Sequence, residues 1–320
     1  MTVSRVVRGQ KAVKSATAKR VQLAILDLGY RPDPTMSALA SYRTLGTRTK
    51  GDANVAFLDR DKTEYSEWVF AGLQKEARLH GYFVEKYVLH HDPNRQRQLA
   101  RVLSHRGVRG LLFGPSSVQW EFVGWDWDQF AMISLGALPH KPAMHSVCMH
   151  YFDGAFSACQ AALNAGARRV GFAIEPHLQK RTGHQWLGGY FAAMQVVDLC
   201  VPIPLWSPNL NFHLWCQTNQ LDAVLTIHPH LLSEWPGDSN KFYLLNESAP
   251  SAHQTTNRYY LDPQQIGAEG VRFLHHLLLR REFGLPNEPK VTTLLGRWLT
   301  PETCAFPEND PKRSVQPPNS

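Results

Sequence analysis

The chain is poor in the features that would make it a secreted scaffold, a membrane protein or a familiar hydrolase. Its 320 residues hold five cysteines (Cys148, Cys159, Cys200, Cys216, Cys304), an odd number with no CxxC spacing. That argues against a disulfide framework or a thiolate zinc site, and the thiols read as reduced and cytosolic. No apolar run approaches the roughly 18 residues a membrane span needs, and no charged-then-apolar leader opens the chain. The expected location is the cytoplasm, away from membranes. The nucleophile elbow GxSxG, the zinc-protease HExxH and the phosphate loop GxxxxGK[ST] are all missing. Asp59 and Asp61 could mimic paired catalytic carboxylates, but acids at a strand end usually cap or solvate a loop. Fifteen histidines raise a metal site. His275 and His276 are adjacent, so on a helix they point about 100° apart and chelate poorly. His228 and His230 have no acidic or cysteine partner nearby in sequence. The reading is a non-enzyme with neither cofactor nor metal.

Acid is also scarce at the start of the chain. Residues 1–50 carry ten basic side chains against Asp27 and Asp33, a local charge of +8, whereas the other 270 residues sum to −1. The whole excess of +7 therefore sits in the first sixth of the chain, the footprint of a module that meets phosphates. A merely solvated tail would lack apolar periodicity, and this segment has it. Thr2 to Arg8 reads as a helix stopped by Gly9. Ser15 to about Leu28 reads as a second helix, with Val21, Ile25 and Leu28 on one face and Gly29 past its end. Asp33-Pro34 then offers a cap and a first-turn proline for a short helix from Thr35 to Ser41.

The run TVSRVVRGQKAV, then TAKRV, LGYRPDP and SALA, resembles the headpiece of the lactose-repressor (LacI/GalR) family from its recognition helix onward. That resemblance implies a helix-turn-helix whose recognition helix lies in the major groove, and a hinge helix that enters the minor groove. Position by position, it implies that Arg5 reads a guanine bidentately and that Met1 is a second base contact. It places Thr2, Thr17 and Tyr30 on phosphates, and Leu39 as the wedge that kinks the duplex. Arg8 and Lys14 replace smaller polar residues and should add phosphate attraction. The resemblance begins inside the helix-turn-helix, so an incomplete headpiece is expected, with only Met1 before Thr2 to brace the recognition helix.

From Asn54 short apolar strands alternate with amphipathic helices: strands at 55–58, 83–89, 110–114, 170–173 and 222–226, and helices at 64–80, 95–105, 154–165, 186–197 and 266–281. This alternation implies parallel sheets with helices on both faces. The phrases ARLHGY, LSHRGVRGLLF, LNAGARRVGF, LGGYFAAM, LDAVLTI and DPQQIGAEGVRFL resemble the periplasmic-binding-protein-like sensor of the same family. The expected fold class is therefore α/β: two Rossmann-like lobes closing on a ligand, behind an all-α headpiece. The expected organisation is residues 1–42 headpiece and hinge, 43–53 linker, 54–304 sensing and dimerisation domain, and 305–320 a disordered tail.

The family's ligand residues transfer poorly. Trp186 stands where the resemblance implies a clamp arginine, and His228-Pro229 where it implies an Asn-Asp pair. Asp262 matches the aspartate near the last crossover, and Tyr65 and Trp68 open the first sensor helix. With the arginine replaced by an indole, the expectation is a neutral ring-containing ligand such as a sugar, stacked on Trp186 and held by Asp262. The partners expected are double-stranded operator DNA, a small effector and a second copy of the chain. Rival readings are a sensor that has lost DNA binding and a stand-alone solute-binding protein.

Overall fold

The computed structural model describes residue 6, residues 15–27 and residues 54–301, apart from 117, 119, 137–140, 196–202, 249–252 and 254. The chain forms two units, Met1–Lys50 and Gly51–Ser320. In the first, α1 (Ser15–Asp27) is the helix read from the sequence, with Thr17, Lys19 and Arg20 exposed and Val21 half-buried. The hinge helix, the linker and the tail lie outside the described residues.

The second unit is built as two lobes, and the chain passes between them three times. It lays down β1 (Asn54–Asp59), α2 (Glu64–Leu79), β2 (Phe83–Val88), α3 (Pro93–His105), β3 (Gly110–Phe113), β4 (Ala131–Leu135) and β5 (His145–Met149) in the first lobe. It then crosses to the second for α4 (Tyr151–Asn164), β6 (Val170–Ala173), α5 (Pro176–Arg181) and α6 (Gln185–Gln195). There follow α7 (Phe212–Thr218), β7 (Ala223–Thr226), β8 (Phe242–Glu247) and β9 (Asn257–Tyr260). It returns for α8 (Pro263–Arg280) and β10 (Val291–Leu294), and crosses last to β11 (Arg297–Leu299). The first sheet, ordered β10-β5-β4-β3-β1-β2, is wholly parallel; the second, β11-β9-β8-β7-β6, is parallel except for β11.

Alternation along each strand feeds two faces of each sheet. Val55 and Phe57 pack with Val69 and Leu73 of α2 and Ile266 and Leu274 of α8. Ala56 and Leu58 turn the other way, onto Ala100 and Leu103 of α3. In the second lobe α4 and α6 cover one face and α7 the other. Both layers were legible in outline, but α3 and α8 begin earlier than the apolar pattern shows. Asp92 and Asp262 cap them, each followed by proline in the first turn, where its missing N–H costs nothing.

Candidate functional site

Because each sheet is parallel apart from β11, the carboxyl ends of its strands lie together, and the connections from β5, β9 and β10 lead straight from those ends into the other lobe. The strand ends of both lobes therefore meet at the boundary, the place where open α/β sheets take ligands. On the first-lobe side, buried Asp59 accepts from Ser66 Oγ at 2.9 Å and pairs with Lys86 at 2.9 Å. Arg60 donates to the Gly114 carbonyl at 2.6 Å, and burial lowers its pKa to about 10 against the opposing pull of Asp61 and Asp59. Ser116 donates to Asp61 at 2.7 Å and accepts from the Trp120 indole at 3.0 Å. The acids at the end of β1 are thus structural partners, as the sequence suggested.

On the second-lobe side, β6, β7 and β8 each present a polar residue at their ends. Glu175, just past β6, pairs with Nε2 of His228, just past β7. Burial lowers the His228 pKa, and Glu175 pulls the other way. Glu247, at the end of β8, pairs with Nδ1 of His253 at 2.8 Å. His228 therefore does have an acidic partner. It is 53 residues away in sequence, brought near because β6 and β7 are parallel neighbours.

Between these edges lies an aromatic cluster. Trp186 is fully buried, with the edge of the Tyr151 ring against it at 4.9 Å and the Arg181 guanidinium 6.0 Å from its centroid. Tyr65 joins from the first lobe: burial drives its phenol far above the ordinary value, Tyr151 and Cys148 add to this, and Arg181 opposes it. Burial likewise pushes Tyr151 up to about 12, again opposed by Arg181. The Trp186 Nε1–H and both polar atoms of the Gln179 amide are buried with no hydrogen-bond partner.

Comparison with known proteins bears on both units. Residues 1–33 match the model of bacterial regulatory proteins of the lacI family. The HTH-type transcriptional regulator GalS of Salmonella typhimurium is 27% identical over 181 residues, covering 55% of this chain and 50% of that protein. Catabolite control protein A of Priestia megaterium is 28% identical over 174 residues, covering 53% and 50%. Residues 1–33 are similar to the headpiece of that family, and the curated relatives carry the likeness over about half of the chain.

The chain spans about half the length of the curated relatives it matches. Solved structures extend the likeness of fold further. The transcriptional regulator CelR in complex with cellobiose superimposes with a TM-score of 0.57 over 93% of each chain, at 16% identity. A regulatory protein of LacI family from Chloroflexus aggregans gives a TM-score of 0.61 at 15% identity, over 76% of this chain and 96% of that one.

The residues expected to bind ligand fall unevenly around the lobe boundary. Tyr65 is in the cluster with Tyr151 and Trp186, and Trp68 is partly exposed one turn further along α2. His228 is at the second-lobe edge with Glu175, and Asp262 caps α8 by accepting from Gln264 N at 3.0 Å. Trp186 needs a correction. Its indole is covered completely, by Tyr151 and Arg181 among others, so no face is free to stack a sugar ring. A guanidinium does lie against that indole, that of Arg181. No motif marks Arg181, which rides on a six-residue helix after the β6 end. Of the residues expected on DNA, Thr17 is exposed on α1, while Met1, Thr2, Arg5, Arg8, Lys14, Tyr30 and Leu39 lie outside the described residues.

Proposed function

We propose that the chain is a sequence-specific DNA-binding transcription regulator whose operator affinity is set by a small ligand held between its two sensor lobes. The observation that carries this is the family match over residues 1–33, which falls on the segment holding the chain's excess positive charge. Arg5 and Met1 read base edges, while Thr2, Arg8, Lys14, Thr17 and Tyr30 hold phosphates and Leu39 wedges the minor groove. Tyr65, Trp68, Trp186, His228 and Asp262 belong to the ligand site, with Trp186 as its floor. A carboxylate–imidazole pair such as Glu175–His228 suits the hydroxyls of a sugar. The regulator acts as a homodimer on a palindromic site. Leu79 and Phe83, on either side of the Gly81 turn, and Leu210 and Leu214 in the second lobe stand exposed in the single chain, as self-association would require. Ligand-dependent closure biases the hinge and so the DNA affinity.

Selection of duplexes from a random library, by the full chain at fixed salt, tests the reading. Enrichment of a palindromic motif supports it. Binding that never rises above competitor DNA would favour a ligand sensor without DNA recognition.

A further inference from the structure

We propose that the cleft ligand carries an anionic group, a carboxylate or a phosphate on a small polyhydroxylated body, and that Arg181 is its seat. This rests on the reading of the lobe boundary as a ligand site, and it replaces the neutral ligand that the tryptophan at position 186 suggested.

The inference begins from what Arg181 lacks. Among the described residues its guanidinium has no ion pair and no hydrogen bond; the one contact recorded for the charge is the Trp186 ring, 6.0 Å from centroid to guanidinium carbon. The residue is only half-exposed, at the end of α5 and facing the other lobe's Tyr65 closely enough that its charge acts on that phenol. Half-buried arginines in folded proteins ordinarily find a carboxylate, because five donors taken from water without acceptors are costly. The nearby acids do not serve it. Glu175 is engaged by His228, and Asp153, at the start of α4, accepts from the Tyr259 hydroxyl at 2.8 Å.

A second observation comes from the indole beneath. The Trp186 N–H is buried and unpartnered, although buried tryptophans generally find an acceptor. A guanidinium, an orphaned N–H and two phenolic hydroxyls, Tyr65 from the first lobe and Tyr151 from the second, make a set with donors in excess. The guanidinium and the Tyr65 hydroxyl on the facing lobe can share one oxyanion, while the Trp186 N–H, sealed beneath them, stays without an acceptor. The planar fork of arginine matches a carboxylate or a phosphate edge, with the cation–π contact to Trp186 fixing the plane of the fork. Trp186 is then a positioning residue and Arg181 the binding residue. Tyr65 belongs to the lobe that must close, so an anion seated on Arg181 contacts both lobes and stabilises the closed form over the open one.

The polyhydroxylated part of the ligand follows from the rest of the rim. The Glu175–His228 and Glu247–His253 pairs at the ends of β6–β8 offer carboxylates and imidazoles to hydroxyls.

The test is calorimetric titration of the full chain with gluconate, glucose 6-phosphate, glucose and inorganic phosphate, repeated on Arg181→Gln and Trp186→Phe. The expected result is that one acidic probe binds at least tenfold tighter than glucose. Arg181→Gln should weaken that probe by about ten- to a hundredfold, the worth of a charge-assisted hydrogen-bonded pair, and leave glucose unchanged. Trp186→Phe should weaken it less, because a ring remains beneath the guanidinium. Gluconate against glucose 6-phosphate separates carboxylate from phosphate, and inorganic phosphate alone reports a bare anion seat. Thermal unfolding without ligand checks that both variants fold. Glucose binding as tightly as its acidic counterparts, with Arg181→Gln indifferent, overturns the inference and leaves the sensor intact. Binding of none of the probes by the folded parent overturns the sensor reading with it.

Discussion

Replacing Gly267 with alanine should destabilise the second unit more than its chemistry suggests. Gly267 lies in α8 where that helix packs on α2, and a Cβ there would sit 2.8 Å from the Leu73 backbone nitrogen and closer still to the Val69 carbonyl oxygen. Ordinary contact begins near 3.4 Å and the Val69 oxygen would stand at 2.0 Å, a shortfall of 1.4 Å, and the obstacle is backbone rather than a side chain that can rotate away. Two effects compete. Alanine is a better helix former than glycine by about 1 kcal/mol. Overpacking a tight interface costs about 1–3 kcal/mol and more where backbone must move. The clash wins, and the expected net loss is about 2 kcal/mol, a drop in Tm on the order of 5 °C for a unit of this size. Gly188→Ala on α6 is the matched control: its Cβ would meet only the Phe152 ring, at 3.7 Å, so propensity should leave it neutral or slightly stabilised. Thermal and urea unfolding of both variants decide the matter. Equal shifts, or a Gly267→Ala protein as stable as its parent, would refute the reasoning.

Other outcomes are expected. Tyr259→Phe removes a hydroxyl that donates to Asp153 at 2.8 Å and accepts from Gly296 N at 2.8 Å, tying the first and third crossings together. Leaving both partners unpaired should cost about 1–3 kcal/mol in urea unfolding, and a loss under 0.5 kcal/mol would show that the tie is immaterial. His275, held near pKa 4 by burial beside His80 and His276, must be neutral to fold. The unfolded chain therefore binds the extra proton, and stability should fall as pH drops from about 6.5 toward 4. His275→Gln, which keeps an acceptor for Tyr82, should flatten that slope; an unchanged slope sinks the assignment. On a selected operator, Arg5→Ala should cost about 1–3 kcal/mol and relax preference at one base pair. Lys14→Ala should weaken all sequences alike with a shallower salt dependence; uniform loss in both would remove Arg5 from base reading.

Much of the fold could be read from periodicity because most strands here are followed by amphipathic helices. The strands missed were Ala131–Leu135, His145–Met149, Phe242–Glu247, Asn257–Tyr260, Val291–Leu294 and Arg297–Leu299, of which His145–Met149 and Asn257–Tyr260 do run into helices. Ala131–Leu135 and His145–Met149 are consecutive parallel strands with no helix between them among the described residues, and Val291–Leu294 and Arg297–Leu299 are short and half-exposed. The site was less legible for a different reason. Position 186 could be judged from the sequence, and the missing arginine was noticed. That Arg181 comes to lie 6.0 Å from the indole centroid depends on where the six-residue helix after β6 ends, and nothing local signals it. His228 was weighed against its neighbour His230, whereas its true partner Glu175 becomes adjacent only when two parallel strands pair.

The triple passage between lobes also dictates an order of synthesis. The first lobe's sheet ends at β10, and its α2 has no lid until α8 arrives, yet all of the second lobe except β11 is encoded between β5 and α8. A ribosome therefore finishes β1 through β5 well before the residues that bury Val69 and Leu73 exist. The half-made lobe must wait, apolar face open, while roughly a hundred further residues emerge and fold. The second lobe, needing only the short β11 to be complete, is the natural first domain to settle. The first lobe, though it leads the sequence, cannot close until α8 and β10 have been made.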